Sequence, residues 1–179
     1  MVGESVKIGT YRIILVVCIL LTVGFILFNS TRTGEQSASI SHSVSEKVAE
    51  IVIPNFSELK DPTKTETVNR VHVSVRNVAH ALEFAILGFF TTLLIVTFKF
   101  NYGRYLIAVA VTLFSCFTVA VCDEFLQGSI LGRASDIMDV LMDTLGILVA
   151  IICAIATDCL VRLVIVKNKK KERREKVYE

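Results

Sequence analysis

The sequence predicts an all-α integral membrane protein, built as a bundle of four membrane-spanning helices. Hydrophobic residues make up 53% of its 179 residues, mean hydropathy is +0.63, and the apolar residues lie in four long runs. A helix needs about 20 apolar residues to cross a bilayer, so four crossings leave no room for a second globular domain. Helices are the expected element because lipid offers no hydrogen-bond partner to an open sheet edge.

The first apolar run follows Lys7 and Arg12. No small-residue cleavage site follows it closely, so we expect an uncleaved signal anchor rather than a signal peptide. The predicted spans are residues 13–28, 78–98, 105–122 and 137–166. Together with the connecting segments, they form one membrane domain over residues 1–166, followed by a tail of residues 167–179.

Basic residues indicate the orientation of the bundle. Lysine and arginine are concentrated in the first 12 residues, in the turn 99–104 and in the tail, which has seven of them against three glutamates. Cytoplasmic segments carry this excess, so both termini are predicted to be cytoplasmic. The tail is expected to contact anionic lipid of the inner leaflet, and the small net charge of +2 indicates no nucleic-acid partner.

The segment 29–75 between the first two spans is predicted to be extracytoplasmic, and it is longer than a connector requires. An amphipathic helix over residues 39–53 is expected there, ended by Pro54 and Asn55. Its apolar positions are Ile40, Val44, Val48, Ile51 and Val52. Such a helix either packs over the bundle or acts as a functional lid. His42 and His72 fall in the same segment and are expected to be solvated.

The five cysteines do not indicate a disulfide or a metal centre. They are odd in number, they lie in apolar segments, and they show no paired CxxC spacing. We interpret them as small hydrophobic residues. The sequence therefore predicts no cofactor and no metal.

Ionisable residues in or beside the spans carry the functional signal, because each is costly in hydrocarbon unless it is paired or hydrated. Arg76, His80 and Glu83 have the spacing i, i+4, i+7, which places them on one helix face. A second one-face set precedes and enters the fourth span: Asp136, Asp139 and Asp143. By the predicted topology, both sets lie at the extracytoplasmic end of the bundle.

A third group of polar residues follows the third span, so three segments direct charge to the same end. We predict a shared polar pocket there. Its candidate substrate-binding residues are Arg76, His80, Glu83, Glu124, Gln127, Arg133, Asp136, Asp139 and Asp143. Asp123 adds a further acid, and the acids outnumber the bases.

Several uses of these residues stay open. The arginines either lock the bundle in a lattice of salt bridges or receive an anionic headgroup while the acids orient them. An oxygen-rich metal set is conceivable, but it matches no recognised ligand spacing: His80, Glu83, Asp139 and Asp143. In the case of catalysis, His80 is the natural general acid or base, with Glu83 or an aspartate orienting it.

Two ordered motifs resemble the signatures of the VanZ-like family. The stretch Arg76 to Phe84 resembles R-x-x-x-H-x-x-E-[FY]. The residues from Asp123 to Gly146 resemble the second signature of that family. That signature has an acidic residue and a glutamine, then P-G-R, then D-x-x-x-N-x-x-G. Leu131 stands where the family often has proline, and Asp143 where it has asparagine.

The resemblance implies a four-helix membrane protein of the Gram-positive cell envelope, in a family associated with resistance to teicoplanin and related lipoglycopeptides. The leading hypothesis is an outward-facing pocket that binds an envelope lipid, a cell-wall precursor or the antibiotic itself. One alternative is a membrane-embedded enzyme that acts on a lipid-linked substrate through His80 and a carboxylate. The other is a structural scaffold held by the charge lattice.

Overall fold

The computed structural model describes the backbone of residues 2–100, 102–133 and 135–178, and the side chains of these residues except 2–7, 40, 169 and 171–178. It is 86% helical, and the described residues contain no strand, so the predicted fold class is confirmed. The helices are α1 (Val2–Ser30), α2 (Gly34–Val52), α3 (Thr63–Val96), α4 (Arg104–Gly128) and α5 (Ile137–Tyr178), with a 3₁₀ turn at Phe56–Glu58.

Four helices are long and apolar enough to cross a membrane: Ile8–Ser30, Thr63–Val96, Arg104–Gly128 and Ile137–Asn168. Each contains or overlaps one predicted span, but the helices extend well beyond the apolar runs. α3 already begins at Thr63, far before residue 78, and α4 continues to Gly128 past the last apolar residue of its run. Polar residues at the span ends are therefore helical, and helix geometry fixes the side of the helix on which they lie.

The third helix is the centre of the bundle, since α3 contacts each of the other four helices and packs most extensively along α5. Small residues allow this close approach. A Cβ added at Gly146 would collide with the carbonyl oxygen of Ala81, and one at Gly88 would press on Ile147 and Ala150. The two helix backbones therefore nearly touch where α5 passes α3.

Helix α4 presents a stripe of small residues to the bundle at intervals of four: Ala108, Thr112, Cys116 and Ala120, all buried. The hydroxyl groups of Thr112 and Thr92 lie 3.2 Å apart and form a hydrogen bond between α4 and α3. The stripe continues directly into Asp123, Glu124 and Gln127, which are also buried. Because these polar residues follow the inward-facing stripe, they point into the bundle rather than toward lipid.

Opposite ends of the bundle carry different polar clusters. At one end, Arg12 of α1 donates to the hydroxyl and carbonyl oxygens of Thr97, at 2.9 and 2.7 Å. At the same end, Asp158 accepts hydrogen bonds from Arg162 at 2.8 Å and from Arg104 at 3.2 Å. The acids and bases of the predicted pocket lie at the other end, beyond an apolar core that includes Ile26, Phe84, Leu87 and Ile147.

The predicted helix between the first two spans is present, and it begins five residues earlier than expected, at Gly34. A capping box between Thr33 and Gln36 starts it. Its contact with α3 uses the small residues Ser45 and Ala49, which are fully buried. The predicted apolar positions are largely exposed: Val44, Ile51 and Val52. The side chain of Ile40 lies outside the described residues, and an association of this helix with the membrane surface stays a prediction.

Replacing Gly146 with alanine should lower thermal stability, because the new methyl group meets the Ala81 carbonyl oxygen and forces α3 and α5 apart. Overpacking of this kind costs about 1–3 kcal/mol. Melting followed by far-ultraviolet circular dichroism in detergent measures the effect. Gly24→Ala is the matched control, because a Cβ there meets nothing within 4 Å and alanine favours the helix. Equal melting temperatures for the Gly146 variant and the wild type would contradict the close packing.

Candidate functional site

A polar cavity of about 540 Å³ lies at the end of the bundle where the predicted pocket residues meet. Its walls come from the end of α1, the first turns of α2, one face of α3 and the link between α4 and α5. Polar residues that line it are Asn29, Ser30, Arg32, Ser37, Ser41, His72, Arg76, His80, Glu83, Gln127, Arg133, Ser135 and Asp136. The cavity is thus assembled from segments that are distant in sequence.

Arg76 and Asp139 form an ion pair between α3 and α5 through Nη2 and Oδ2. The aspartate side chain is almost fully buried, whereas 45% of the arginine side chain is exposed. Asp139 therefore lies behind Arg76 and holds its guanidinium at the wall of the cavity. A buried carboxylate requires such a partner, since an unpaired charge in the interior is strongly destabilising.

The next turn of α3 places His80 opposite Asp143 of α5, with Nδ1 and Oδ1 3.4 Å apart. The two atoms lack hydrogen-bond geometry, and both are buried without a hydrogen-bond partner. Asp123 of α4 is buried beside them and accepts hydrogen bonds from the Ser30 hydroxyl and, at 2.7 Å, from the Gln127 amide. These side chains form the floor beneath the cavity and connect four helices.

Glu83 completes the α3 set and turns toward α1, where its Oε1 accepts a hydrogen bond of 3.0 Å from the Asn29 amide. Glu124 has a different role, because its carboxylate accepts from the backbone N–H of Asp136. Asp136 in turn accepts a hydrogen bond of 2.9 Å from the backbone N–H of Met138 at the start of α5. These two acids fix the link between α4 and α5.

Arg133 extends from that link to α2 and donates a hydrogen bond of 2.8 Å to the Ser37 hydroxyl. Its other terminal nitrogen, Nη1, is buried without a partner. Burial lowers the pKa of Arg133, and the nearby Arg76 guanidinium lowers it further. An anion bound in the cavity would reduce the repulsion between these two guanidinium groups and stabilise their charged forms.

Basic side chains line the cavity, whereas most of the acidic side chains are buried behind its surface. Arg32, Arg76, Arg133, His72 and His80 line the cavity, and the acids that line it are Glu83 and Asp136. The remaining four acids are buried behind this surface, each at most 8% exposed: Asp123, Glu124, Asp139 and Asp143. Although acids outnumber bases in this region of the sequence, the surface that a ligand meets is predominantly basic.

All nine candidate site residues gather at this end of the bundle. Arg76, His80, Glu83, Gln127, Arg133 and Asp136 line the cavity, whereas Glu124, Asp139 and Asp143 lie behind it. The candidate residues omit Asp123 and, from the α1 side, Asn29, Ser30 and Arg32. A polar residue at the end of an apolar run gives no signal of which neighbour it will meet.

The expectation that both loop histidines are solvated is wrong for one of them. His42 is exposed, but His72 lines the cavity and its Nδ1 is buried without a partner. α3 begins early, at Thr63, so residue 72 lies one turn before Arg76 on the same helix face. The i, i+4 spacing of residues 72, 76 and 80 was the available signal.

Removing the Arg76 charge alone should destabilise the protein, because Asp139 would be left buried and unpaired. Arg76→Gln should cost about 1–3 kcal/mol, and the double variant Arg76→Gln/Asp139→Asn should recover most of the loss. Thermal melting in detergent measures both. Arg70→Gln is the matched control on the same helix, because Arg70 pairs with Glu66 at the surface. A double variant no more stable than Arg76→Gln would contradict the pairing.

Comparison with known proteins supplies the family. Residues 14–162 match the VanZ/LLP1 family model. No curated protein and no solved structure gives a significant match to the chain. The match covers most of the chain, including all or most of each of the four helices that could span a membrane and all the cavity residues. The chain therefore belongs to the VanZ/LLP1 family, as the two sequence signatures predict.

Proposed function

We propose that this VanZ-family membrane protein binds an anionic amphiphile, an envelope lipid or lipid-linked cell-wall precursor, with the headgroup in the polar cavity. The binding contributes to teicoplanin-type resistance. The observation that carries the proposal is the sorting of charge by depth, which gives the cavity a basic lining over a buried acidic layer.

The basic groups suit a phosphate or pyrophosphate headgroup. A guanidinium binds two phosphate oxygens at once and stays charged when partly buried. Arg133 has an unused terminal nitrogen, and Arg76 is held at the cavity wall by Asp139. The first turn of α2 adds Gly34 and Ser37 to the lining, and the dipole of a helix favours an anion near its N-terminus.

An apolar groove adjoins the polar cavity and suits an acyl or polyprenyl chain. It has a volume of about 620 Å³ and lies between α2 and α3, lined mainly by valines and by Leu82. Val75 and Ala79 line both the groove and the cavity. A ligand with a charged head and a long apolar tail therefore fits both spaces at once, whereas a free inorganic anion would leave the groove uncovered.

The predicted orientation of the protein in the membrane gives the cavity access to cell-wall precursors. The distribution of lysine and arginine predicts cytoplasmic termini and therefore an extracytoplasmic cavity. Cell-wall precursors are exposed there, and the family is linked to teicoplanin resistance. Occupying or shielding a precursor on that side is a direct way to reduce the effect of an antibiotic that acts on the same molecule.

Lipid that remains bound after purification in mild detergent tests the ligand class. Mass spectrometry of the wild type should detect a phosphate-bearing lipid. The amount should fall about tenfold in Arg133→Gln, since a hydrogen bond to a charged group contributes about 1.5–3 kcal/mol. The double variant Arg76→Gln/Asp139→Asn should show a similar loss without an unpaired buried charge.

Lys47→Gln is the matched control, because Lys47 is an exposed cation on the neighbouring helix α2 and does not line the cavity. Equal lipid content in all four proteins would contradict headgroup binding. Retention of teicoplanin instead of lipid, measured by adding the antibiotic before purification, would assign the cavity to the lipoglycopeptide itself.

Expression in a teicoplanin-sensitive Gram-positive host tests the phenotype. The wild type should raise the inhibitory concentration of teicoplanin, and Arg133→Gln or His80→Ala should remove the increase, because both residues line the cavity. Quantitative immunoblots of membrane fractions must show equal abundance. Full protection by both variants would contradict a role for the cavity in resistance.

A further inference from the structure

Three potential metal ligands converge at the floor of the cavity: His80, Asp123 and Asp143. One ligand atom from each side chain lies within 4.8 Å of the other two. The residues come from α3, α4 and α5, so the cluster exists only when the bundle is assembled. Both aspartates are nearly inaccessible, at 2% and 1% exposure.

Two of the ligand atoms form no hydrogen bond. Nδ1 of His80 and Oδ1 of Asp143 face each other at 3.4 Å, and neither forms a hydrogen bond. Buried polar atoms without a partner are rare in native proteins, and each requires an explanation. A cation between the two atoms satisfies both of them, because a ring nitrogen and a carboxylate oxygen each offer a lone pair.

The charge balance also favours a cation. Asp139 is neutralised by Arg76, but the other carboxylates nearby have only neutral donors: Asn29 for Glu83, and Ser30 and Gln127 for Asp123. Among the described residues, no lysine or arginine forms an ion pair with Glu83, Asp123 or Asp143. Three carboxylates therefore surround one imidazole in an interior where unpaired charge is costly.

We propose that His80, Asp123 and Asp143 bind a divalent cation of the manganese or zinc class. One nitrogen and two oxygen donors suit these ions, and such sites leave further coordination positions for water. The sequence predicts no metal, and the set it makes conceivable contains Glu83 and Asp139. The structure instead pairs those residues with Asn29 and Arg76 and brings in Asp123. The site does not depend on the proposed lipid binding.

Metal binding by the full-length protein in detergent tests the site. After treatment with a chelator, the protein is dialysed to equilibrium against micromolar Mn²⁺, and bound metal is measured by inductively coupled plasma mass spectrometry. Mn²⁺ is the first probe because cysteine thiolates prefer zinc and the chain has free cysteines. We expect about one Mn²⁺ per chain, released by excess Zn²⁺.

Asp143→Asn and His80→Gln should each reduce bound Mn²⁺ about tenfold or more, as losses at metal sites typically do. Asp158→Asn is the matched control, since Asp158 is a carboxylate of the same helix at the opposite end of the bundle and pairs with arginines. Metal binding is compared only for variants that elute as a single gel-filtration peak. If one of the two variants fails this criterion, Asp123→Asn is measured in its place. A wild type without bound Mn²⁺ or Zn²⁺ overturns the proposal, and so do variants that bind as much metal as the wild type.

Discussion

The cost of placing carboxylates inside a membrane bundle is the constraint on which this structure depends. Helices α4 and α5 direct Asp123, Asp139 and Asp143 into the interior, where an isolated charge is unstable. Each acid therefore needs a partner, and most of the partners come from another helix. Arg76 pairs with Asp139, His80 faces Asp143, and Asp123 accepts from Ser30 of α1 as well as from Gln127 of its own helix. These contacts tie four helices together at one end.

The same requirement determines what a ligand encounters. Arg76 pairs with Asp139 but stays partly exposed, so its guanidinium lies at the cavity wall. Arg133 is held by Ser37 and retains an unused donor. A buried acid and a serine hydroxyl thus hold the two arginines in fixed positions. Preorganised cations of this kind bind anions without first losing side-chain freedom.

Much of the fold was predictable from the sequence because it follows from bulk properties. Apolar runs of sufficient length gave the four spans, and the i, i+4, i+7 spacing of Arg76, His80 and Glu83 gave their common face. The bounds of the helices were harder to predict, because polar helical turns such as residues 63–77 and 123–128 continue the helices past the ends of the apolar runs. That continuation places His72 in the cavity and Asp123 in the interior.

Partners across helices were beyond prediction from sequence for a different reason. Spacing shows which residues share a helix face, but it does not show which face of a second helix lies opposite. The pairing of Arg76 with Asp139, rather than with Asp136 or Asp143, depends on the position along α5 at which it packs against α3. Gly146 and Gly88 allow the two backbones to approach closely where they cross.

The apolar groove between α2 and α3 has a consequence for the path of a ligand. An apolar core closes the bundle below the cavity, and the clusters around Arg12 and Asp158 close its other end. The groove joins the cavity through Val75 and Ala79. An amphiphile that enters by this route moves sideways within its leaflet and keeps its tail out of water throughout. Its capture would then be governed by two-dimensional diffusion and by its surface density in that leaflet, and its concentration in the surrounding solution would have little influence.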